Sequence, residues 1–573
     1  MTITAPGSGS STLRTRGLSA VLDYAQMSHA RAVAILIVVA MLSFLPGFFQ
    51  VPPIDRDEAR FAQATKQMVE SGDYVDIRFQ NESRYKKPVG IYWLQAAVVK
   101  TASRIGGHEM LTEIWLYRLP SLLGAIGSVL LTYWVALAFV TRRTALLASV
   151  MMATCVLLGV EARLAKTDAM LSLTVIAAMG AMARVYLARL RDPQAAIGWT
   201  MPAIFWTAMA AGFLLKGPLI MMFVVLTVVT LAIVDRSARW LLALRPFAGI
   251  LWMIVLVLPW FAAIVVRSGD SFFAQSLGDD MLSKVASSQE AHGAPPGLYF
   301  LLFWVTFWPA AVLAGMAAPA LLRAWRQPGA KFLLAWLVPS WLVFELVVTK
   351  LPHYVLPLYP AIAIMVAGIL ESGLLSKARW FIHGTIGFFL FPTIIGVVSL
   401  VGVFVIAKQP ALSAWPFVGA AMVLGLVAWR LFESDGPERA LLRAAAASIC
   451  VSFAVFSVAF PTMTGLFPSV AVAEAVHDSG CKDPLSVSVG YQEPSLVFLV
   501  GSGLRFVDGS TAADFLRGGP CRFAIVDARN ERIFAQRAET IGARYSQNSR
   551  IEGYNISVGR PVTLTLYQSE SDR

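Results

Sequence analysis

RAVAILIVVAMLSFLPGFF (31–49) is followed almost at once by PIDRDEAR (53–60). The first stretch has no acid and is long enough to cross a hydrocarbon core about 30 Å thick. The second packs Asp55, Arg56, Asp57, Glu58 and Arg60 into six residues. Apolar runs of similar length recur down the chain. Its 573 residues are 57% hydrophobic and 14% charged, where soluble domains carry about 25% charge. These features define a polytopic α-helical membrane protein. Window hydropathy gives about thirteen transmembrane helices.

Basic residues of the short loops set the orientation. Arg142 and Arg143, then Arg184, Arg189 and Arg191, then Arg236, Arg239 and Arg245 fall on every second connection. Those connections are cytoplasmic, and so is the N-terminus. The net charge of +12 is this topology signal plus attraction to anionic lipid, and nucleic-acid binding is excluded as its cause. The expected organisation is a disordered cytoplasmic arm over 1–28, a transmembrane domain over 29–462 with a long external loop at 51–118, and a periplasmic α/β domain over 463–573. The last rests on short β-rich runs such as CRFAIVDA (521–528), interleaved with helical stretches such as ERIFAQRAETIGARY (531–545). Cys155 and Cys450 fall inside spans. Cys481 and Cys521 share the external tail and are a disulfide candidate in an oxidising periplasm.

The residues with chemical potential all lie on external connections. Asp57 and Glu58 open an amphipathic stretch, FAQATKQMVESG (61–72), with Phe61, Ala64 and Met68 on one face and Gly72 as a stop. One helix cap needs one acid, so the surplus acids point to a polar site. In SRYKKPVGIYW (83–93), Lys87 is held by Pro88. With Arg60 it can clamp a phosphate, while Lys86 suits lipid headgroups. In EARLAKTDAM (161–170), Asp168 is a helix-cap candidate; Arg163 and Lys166 oppose the positive-inside bias and so have another use. Lys216 in KGP (216–218), with Lys350, His353 and Tyr354 in TKLPHYVLPLYP (349–360), completes a set of anion-binding candidates. Asp279, Asp280, Glu290 and His292 lack the spacing of a metal site. No cofactor motif is present, and a divalent metal has little support.

This order of motifs, D-E-A-R after the first span, K-P before an aromatic pair, R-x-x-K-x-D, then K-L-P-x-Y, resembles the polyprenyl-phosphate-dependent C-type glycosyltransferases over about residues 30–370. Lipid A aminoarabinose transferases and, more distantly, protein O-mannosyltransferases are the similar branches. The resemblance implies that Asp57 is the essential acid of the first external loop, with Glu58 and Arg60 beside it. It makes Lys87 the lysine before proline, Asp168 the second loop acid, and Tyr354 an aromatic near the carrier phosphate. Aminoarabinose transferases tend to have an acid immediately before that lysine. Lys86 stands there instead, which further weakens the metal case and leaves the donor sugar open.

The expected function is inverting transfer of a sugar from a polyprenyl-phosphate carrier to lipid A or another envelope glycan or protein. Asp57, Asp168 and Glu58 are the catalytic candidates. Arg60, Lys87, Lys216, Lys350, Tyr354 and His353 are the donor phosphate-binding candidates. The expected location is the bacterial inner membrane, with the site on its periplasmic face. The competing class is a transporter or lipid flippase. That class explains the spans but less well the charged external loop and the tail domain.

Overall fold

The computed structural model describes residues 20–269, 271–275 and 293–570. The candidates Asp279, Asp280, Glu290 and His292 lie outside the described residues. Among those described, eight helices are long and apolar enough to cross a membrane, from Ile114–Ala136 to Pro437–Thr462. Four shorter apolar helices accompany them: His29–Phe44, Thr200–Lys216, Leu219–Asp235 and Ala310–Ala324. The stretch 142–161 is broken into Arg142–Ala153 and Val156–Glu161. At the break the Val156 N–H donates to the Trp308 carbonyl, 3.4 Å away, because a backbone donor inside an apolar bundle must find an acceptor. Residues 20–26 are helical, with Leu22 and Ala25 buried against the bundle. Residues 20–26, which fall within the arm expected to be unstructured through residue 28, are therefore part of the packed structure.

The first apolar stretch forms α1 (His29–Phe44). The loop at 51–118 folds into α2 (Asp57–Ser71), a two-stranded ribbon of β1 (Arg78–Phe79) and β2 (Glu82–Ser83), and α3 (Gly90–Gly106). It leads into α4 (Ile114–Ala136). Helix α2 ends as expected at Gly72, whose φ of 72° is a left-handed conformation that glycine adopts without steric cost. Phe61, Ala64 and Met68 are buried together against Tyr92. Elsewhere on α2, Gln63 and Lys66 are buried under C-terminal residues, Gln63 donating to Ser502 at 2.9 Å and Lys66 to the Phe498 carbonyl, while Thr65 is buried against Gln95 of α3.

The C-terminal residues form a five-stranded sheet. Its strands are β3 (Leu485–Val489), β4 (Arg505–Phe506), β5 (Arg522–Asp527), β6 (Tyr545–Asn555) and β7 (Arg560–Ser569), in the order β4-β3-β5-β7-β6. Strand β3 runs parallel to β4 and β5; β7 is antiparallel to β5 and β6. Phe523 and Ile525 pack on one face with the helix Pro494–Val500, and Ala524 and Val526 on the other with Gly509–Arg517 and Glu531–Ile541. With both faces covered, β5 reads as a continuous apolar run. Cys481 and Cys521 are joined by a disulfide, with Cα atoms 5.7 Å apart.

One buried ion pair ties the loop to the bundle. Arg118 of α4 donates from Nε to Glu58 Oε1 at 2.8 Å and from Nη2 to Oε2 at 2.9 Å. It also donates to the carbonyls of Phe48 (3.1 Å), Val51 (2.7 Å) and Pro52 (3.0 Å). Glu58 further accepts from the Ile54 and Ala165 N–H groups, each at 2.9 Å. The end of α1, the start of α2, α4 and the 163–168 turn therefore meet at one salt bridge. Both side chains are buried and their polar atoms satisfied, the condition under which such a pair repays its desolvation. Arg118→Met leaves the Glu58 carboxylate buried without its cation. We expect a loss of about 3–5 kcal/mol, measured as a lowered thermal midpoint of the full chain in detergent, whereas Glu58→Gln costs less.

Candidate functional site

Five separate stretches meet around one cavity of 310 Å³. From the sequence candidates it is lined by Asp57, Glu58, Arg60, Lys87, Asp168, Lys216, His353 and Tyr354. Lys350 is absent from the lining. It is buried, and its ammonium donates to the carbonyls of Ala294, at 3.0 Å, and Val347. Val347 closes the helix Pro328–Leu346, whose last carbonyls lack partners in the helix. Lys350 is therefore a cation at a helix end, corrected from a phosphate ligand. Glu58 is corrected too. Its oxygens are committed to Arg118 and two backbone N–H groups, so it holds the loop rather than meeting substrate.

Asp57 stands differently. It is exposed to the cavity at the first turn of α2, and it makes no hydrogen bond or ion pair among the described residues. Its direction is set by its neighbours. Arg56 has φ 71°, a conformation that costs a non-glycine residue about 1–3 kcal/mol and needs outside support. The C-terminal residues give that support: the Arg56 guanidinium donates to the Ser557 carbonyl, and the Ser495 N–H donates to Asp55 at 2.9 Å. Glu493 accepts from Asn555 at 2.9 Å and Ser557 at 2.8 Å. Further along α2, Lys66 donates to the Phe498 carbonyl at 2.9 Å, and Phe498 packs edge-on to Tyr117 at 5.3 Å. The C-terminal domain thus grips α2 along its length.

Lys87 is half-buried and Lys86 exposed, and both line the cavity. The KPVG turn that carries them lies against the end of the helix bearing Lys216. A Cβ on Gly90 would come within 2.7 Å of the Leu214 carbonyl oxygen, so only glycine permits this approach. The 163–168 turn is fixed by Ala165 at Glu58 and by Ser121, which donates to the Lys166 carbonyl at 3.0 Å. Arg163 donates to the carbonyls of Pro46 (2.7 Å), Ser43 and Gly159, the structural use for a charge that topology did not require.

Asp168 begins its helix but makes no capping bond there. Its carboxylate instead accepts from Lys216 and lies 3.7 Å from His353 Nε2 and 4.0 Å from Lys166. Lys216 also sits 5.2 Å from the centre of the Tyr354 ring. Glu161, which motif reading passed over, joins this group: its Oε1 lies 3.1 Å from Lys166 and 3.6 Å from His353 Nδ1. Glu161, Asp168 and His353 offer ligand atoms within 4.8 Å of one another, a spacing that can hold a metal ion. However, Lys166 and Lys216 already place two ammonium charges on those carboxylates. A divalent ion would have to displace or repel them, so the donor set fits a lysine-neutralised cluster better than a metal centre. The other residue missed from the sequence is Arg84, buried in the cavity wall 5.2 Å from the Phe61 ring centre. It stands in the same string as Lys87, and nothing in the sequence distinguished it from a surface arginine.

A family model described as dolichyl-phosphate-mannose-protein mannosyltransferase matches residues 34–270. An undecaprenyl phosphate-alpha-4-amino-4-deoxy-L-arabinose arabinosyl transferase of Erwinia tasmaniensis is 30% identical over 331 residues, 56% of this chain and 56% of that protein. A protein of the same description from Edwardsiella ictaluri is 26% identical over 414 residues, 70% of each chain. The chain thus spans little more than half the length of the first of these relatives. The crystal structure of ArnT from Cupriavidus metallidurans bound to undecaprenyl phosphate is similar with a TM-score of 0.69 and 20% identity, over 93% of this chain and 97% of that one. This shows a shared fold. The resemblance read from the motifs is to these same proteins.

The contact between loop and C-terminal domain carries a pH dependence. Burial, reinforced by the nearby Glu493 carboxylate, pushes Asp55 up to about 6 from an ordinary 3.8. The folded contact therefore prefers protonated Asp55. Its contribution is full below pH 4, is lost as pH rises through 6, and changes no further above that. Hydrogen exchange at 493–495 and 555–557, corrected for intrinsic rates, should show weaker protection at pH 7.5 than at pH 5, by on the order of 1 kcal/mol. Asp55→Asn should flatten the difference.

Proposed function

We propose that this chain is an inner-membrane glycosyltransferase that moves a sugar, with inversion, from a polyprenyl-phosphate carrier to a periplasmic-face acceptor such as lipid A or another envelope glycan or protein. One observation carries the reading: Asp57, a carboxylate that makes no hydrogen bond or ion pair among the described residues, shares a cavity with Lys87, a cation delivered by a separate segment beside a proline. Sugar transfer from a lipid phosphate needs both parts. The leaving phosphate gathers negative charge, and preorganised cations that meet it there lower the barrier. The acceptor needs a group to orient it or take its proton.

In this assignment Asp57 faces the acceptor. It takes the proton of a hydroxyl; toward a phosphate acceptor, already ionised, it orients the group or steadies positive charge on the sugar ring. Arg60 and Lys87 hold the carrier phosphate. Lys216 and His353 belong to the balanced cluster around Asp168, which shapes the cavity floor beside Tyr354. Glu58 and Lys350 are left in structural roles.

The same reading places thirteen spans in the bilayer: the eight long helices, the four shorter apolar ones and the broken stretch 142–161. The transmembrane domain covers 29–462. The loop 51–118 and the α/β domain 463–573 lie on the periplasmic side with the site, which agrees with the basic residues of the alternate loops. A water-exposed disulfide-bonded domain also suits that compartment.

Asp57→Asn should abolish transfer, a drop of at least about a thousand-fold in kcat, with insertion and thermal stability unchanged. Normal turnover by that variant in membranes supplied with lipid-linked donor would remove the assigned role. Lys87→Ala should raise KM for the lipid donor by about ten-fold or more and leave acceptor KM nearly constant. The reverse pattern would count against phosphate binding by Lys87.

A further inference from the structure

Three arginines are buried among the described residues: Arg84, Arg118 and Arg163. Two explain themselves. Each nitrogen of the Arg118 guanidinium donates to Glu58 or to a carbonyl. Each nitrogen of Arg163 likewise donates to a carbonyl. Arg84 is different. It is only 9% exposed, yet its Nε has no acceptor, and among the described residues its side chain makes no hydrogen bond or ion pair. Its backbone is well held: the Arg84 N–H donates to the Ile77 carbonyl at 2.8 Å. The guanidinium lies over the Phe61 ring in the wall of the cavity.

A buried cation without an anion is a standing cost to the fold, and one aromatic face returns only part of it. Such an arrangement persists where a ligand completes it. Arg84 also has two further cations, Lys86 and Lys87, within three residues and facing the same cavity. The planar guanidinium offers several donors in a fixed fork, matched to the oxygens of a phosphate ester.

We infer that Arg84 is a substrate-binding residue for an oxyanion, a phosphate mono- or diester that enters the cavity and supplies the missing partner. This rests on the glycosyl-transfer reading of the cavity and deepens it. The phosphate belongs either to the lipid carrier or to an acidic acceptor, and the two sources separate in binding experiments.

The test uses the full chain in lipid nanodiscs, with undecaprenyl monophosphate and bisphosphorylated lipid A as separate probes and tryptophan fluorescence as the binding signal. Arg84→Met keeps the aliphatic stem over Phe61 and removes the fork. It should raise Kd for one probe by about ten- to a hundred-fold and leave the other within two-fold; the affected probe identifies the phosphate. Arg84→Lys should recover part of the loss, because charge returns without the fork. The unliganded thermal midpoint of Arg84→Met should equal or exceed that of the wild type, since an uncompensated buried charge has gone. Binding of both probes within two-fold of wild type overturns the inference. So does a fall in midpoint as large as that of Arg118→Met, which would make Arg84 structural. If wild-type protein binds neither probe, the transferase reading falls first; if it binds and Arg84→Met binds equally, only the role of Arg84 falls.

Discussion

The Glu58–Arg118 pair is the constraint on which the rest of the architecture depends. It lies where the first apolar helix leaves the bundle and must turn its chain across the surface. A turn there exposes the carbonyls of Phe48, Val51 and Pro52 with no helical partners, and Arg118 gathers all of them. Glu58 balances that cation and, through Ala165, also fixes the turn that delivers Asp168. The two acids at 57 and 58 thus divide the work. The inward one is spent on structure, and the outward one faces the cavity with no hydrogen bond or ion pair among the described residues.

A second constraint comes from the opposite side. The C-terminal domain is held to α2 by backbone and side-chain contacts from Asp55 to Gln80, whose amide donates to the Leu504 carbonyl. The strained Arg56 is one of these contacts. Asp57 therefore sits between a buried salt bridge in the bundle and a docked domain outside it, which restricts its direction without occupying its oxygens. A carboxylate held in this way is preorganised, and preorganised charge is most effective where water is largely excluded.

The cavity separates two kinds of charge. Around Asp168 and Glu161, acids and lysines neutralise one another at short range. On the wall, the buried Arg84 guanidinium makes no hydrogen bond or ion pair among the described residues. An anionic group drawn to that wall would find Asp57 close by in the same small volume. This asymmetry suits chemistry in which a phosphate departs from one side while an acceptor is managed from the other.

Much of this was legible in the sequence. Apolar runs of membrane-spanning length gave the helices. The DEAR, KKP, RLAKTD and KLPHY strings named the segments that meet at the cavity, and the β-rich run CRFAIVDA anticipated a sheet strand. These are local signals, written in hydropathy, periodicity and turn chemistry. The sequence alone did not decide which of two adjacent acids is spent, that Lys350 closes a helix rather than binding phosphate, that Glu161 joins Asp168, or that Arg84 is buried with no hydrogen bond or ion pair among the described residues. Each of those depends on what a side chain meets after distant segments have packed. Burial and pairing are properties of that packing, so residues identical in type and close in sequence acquire different roles only in the folded chain.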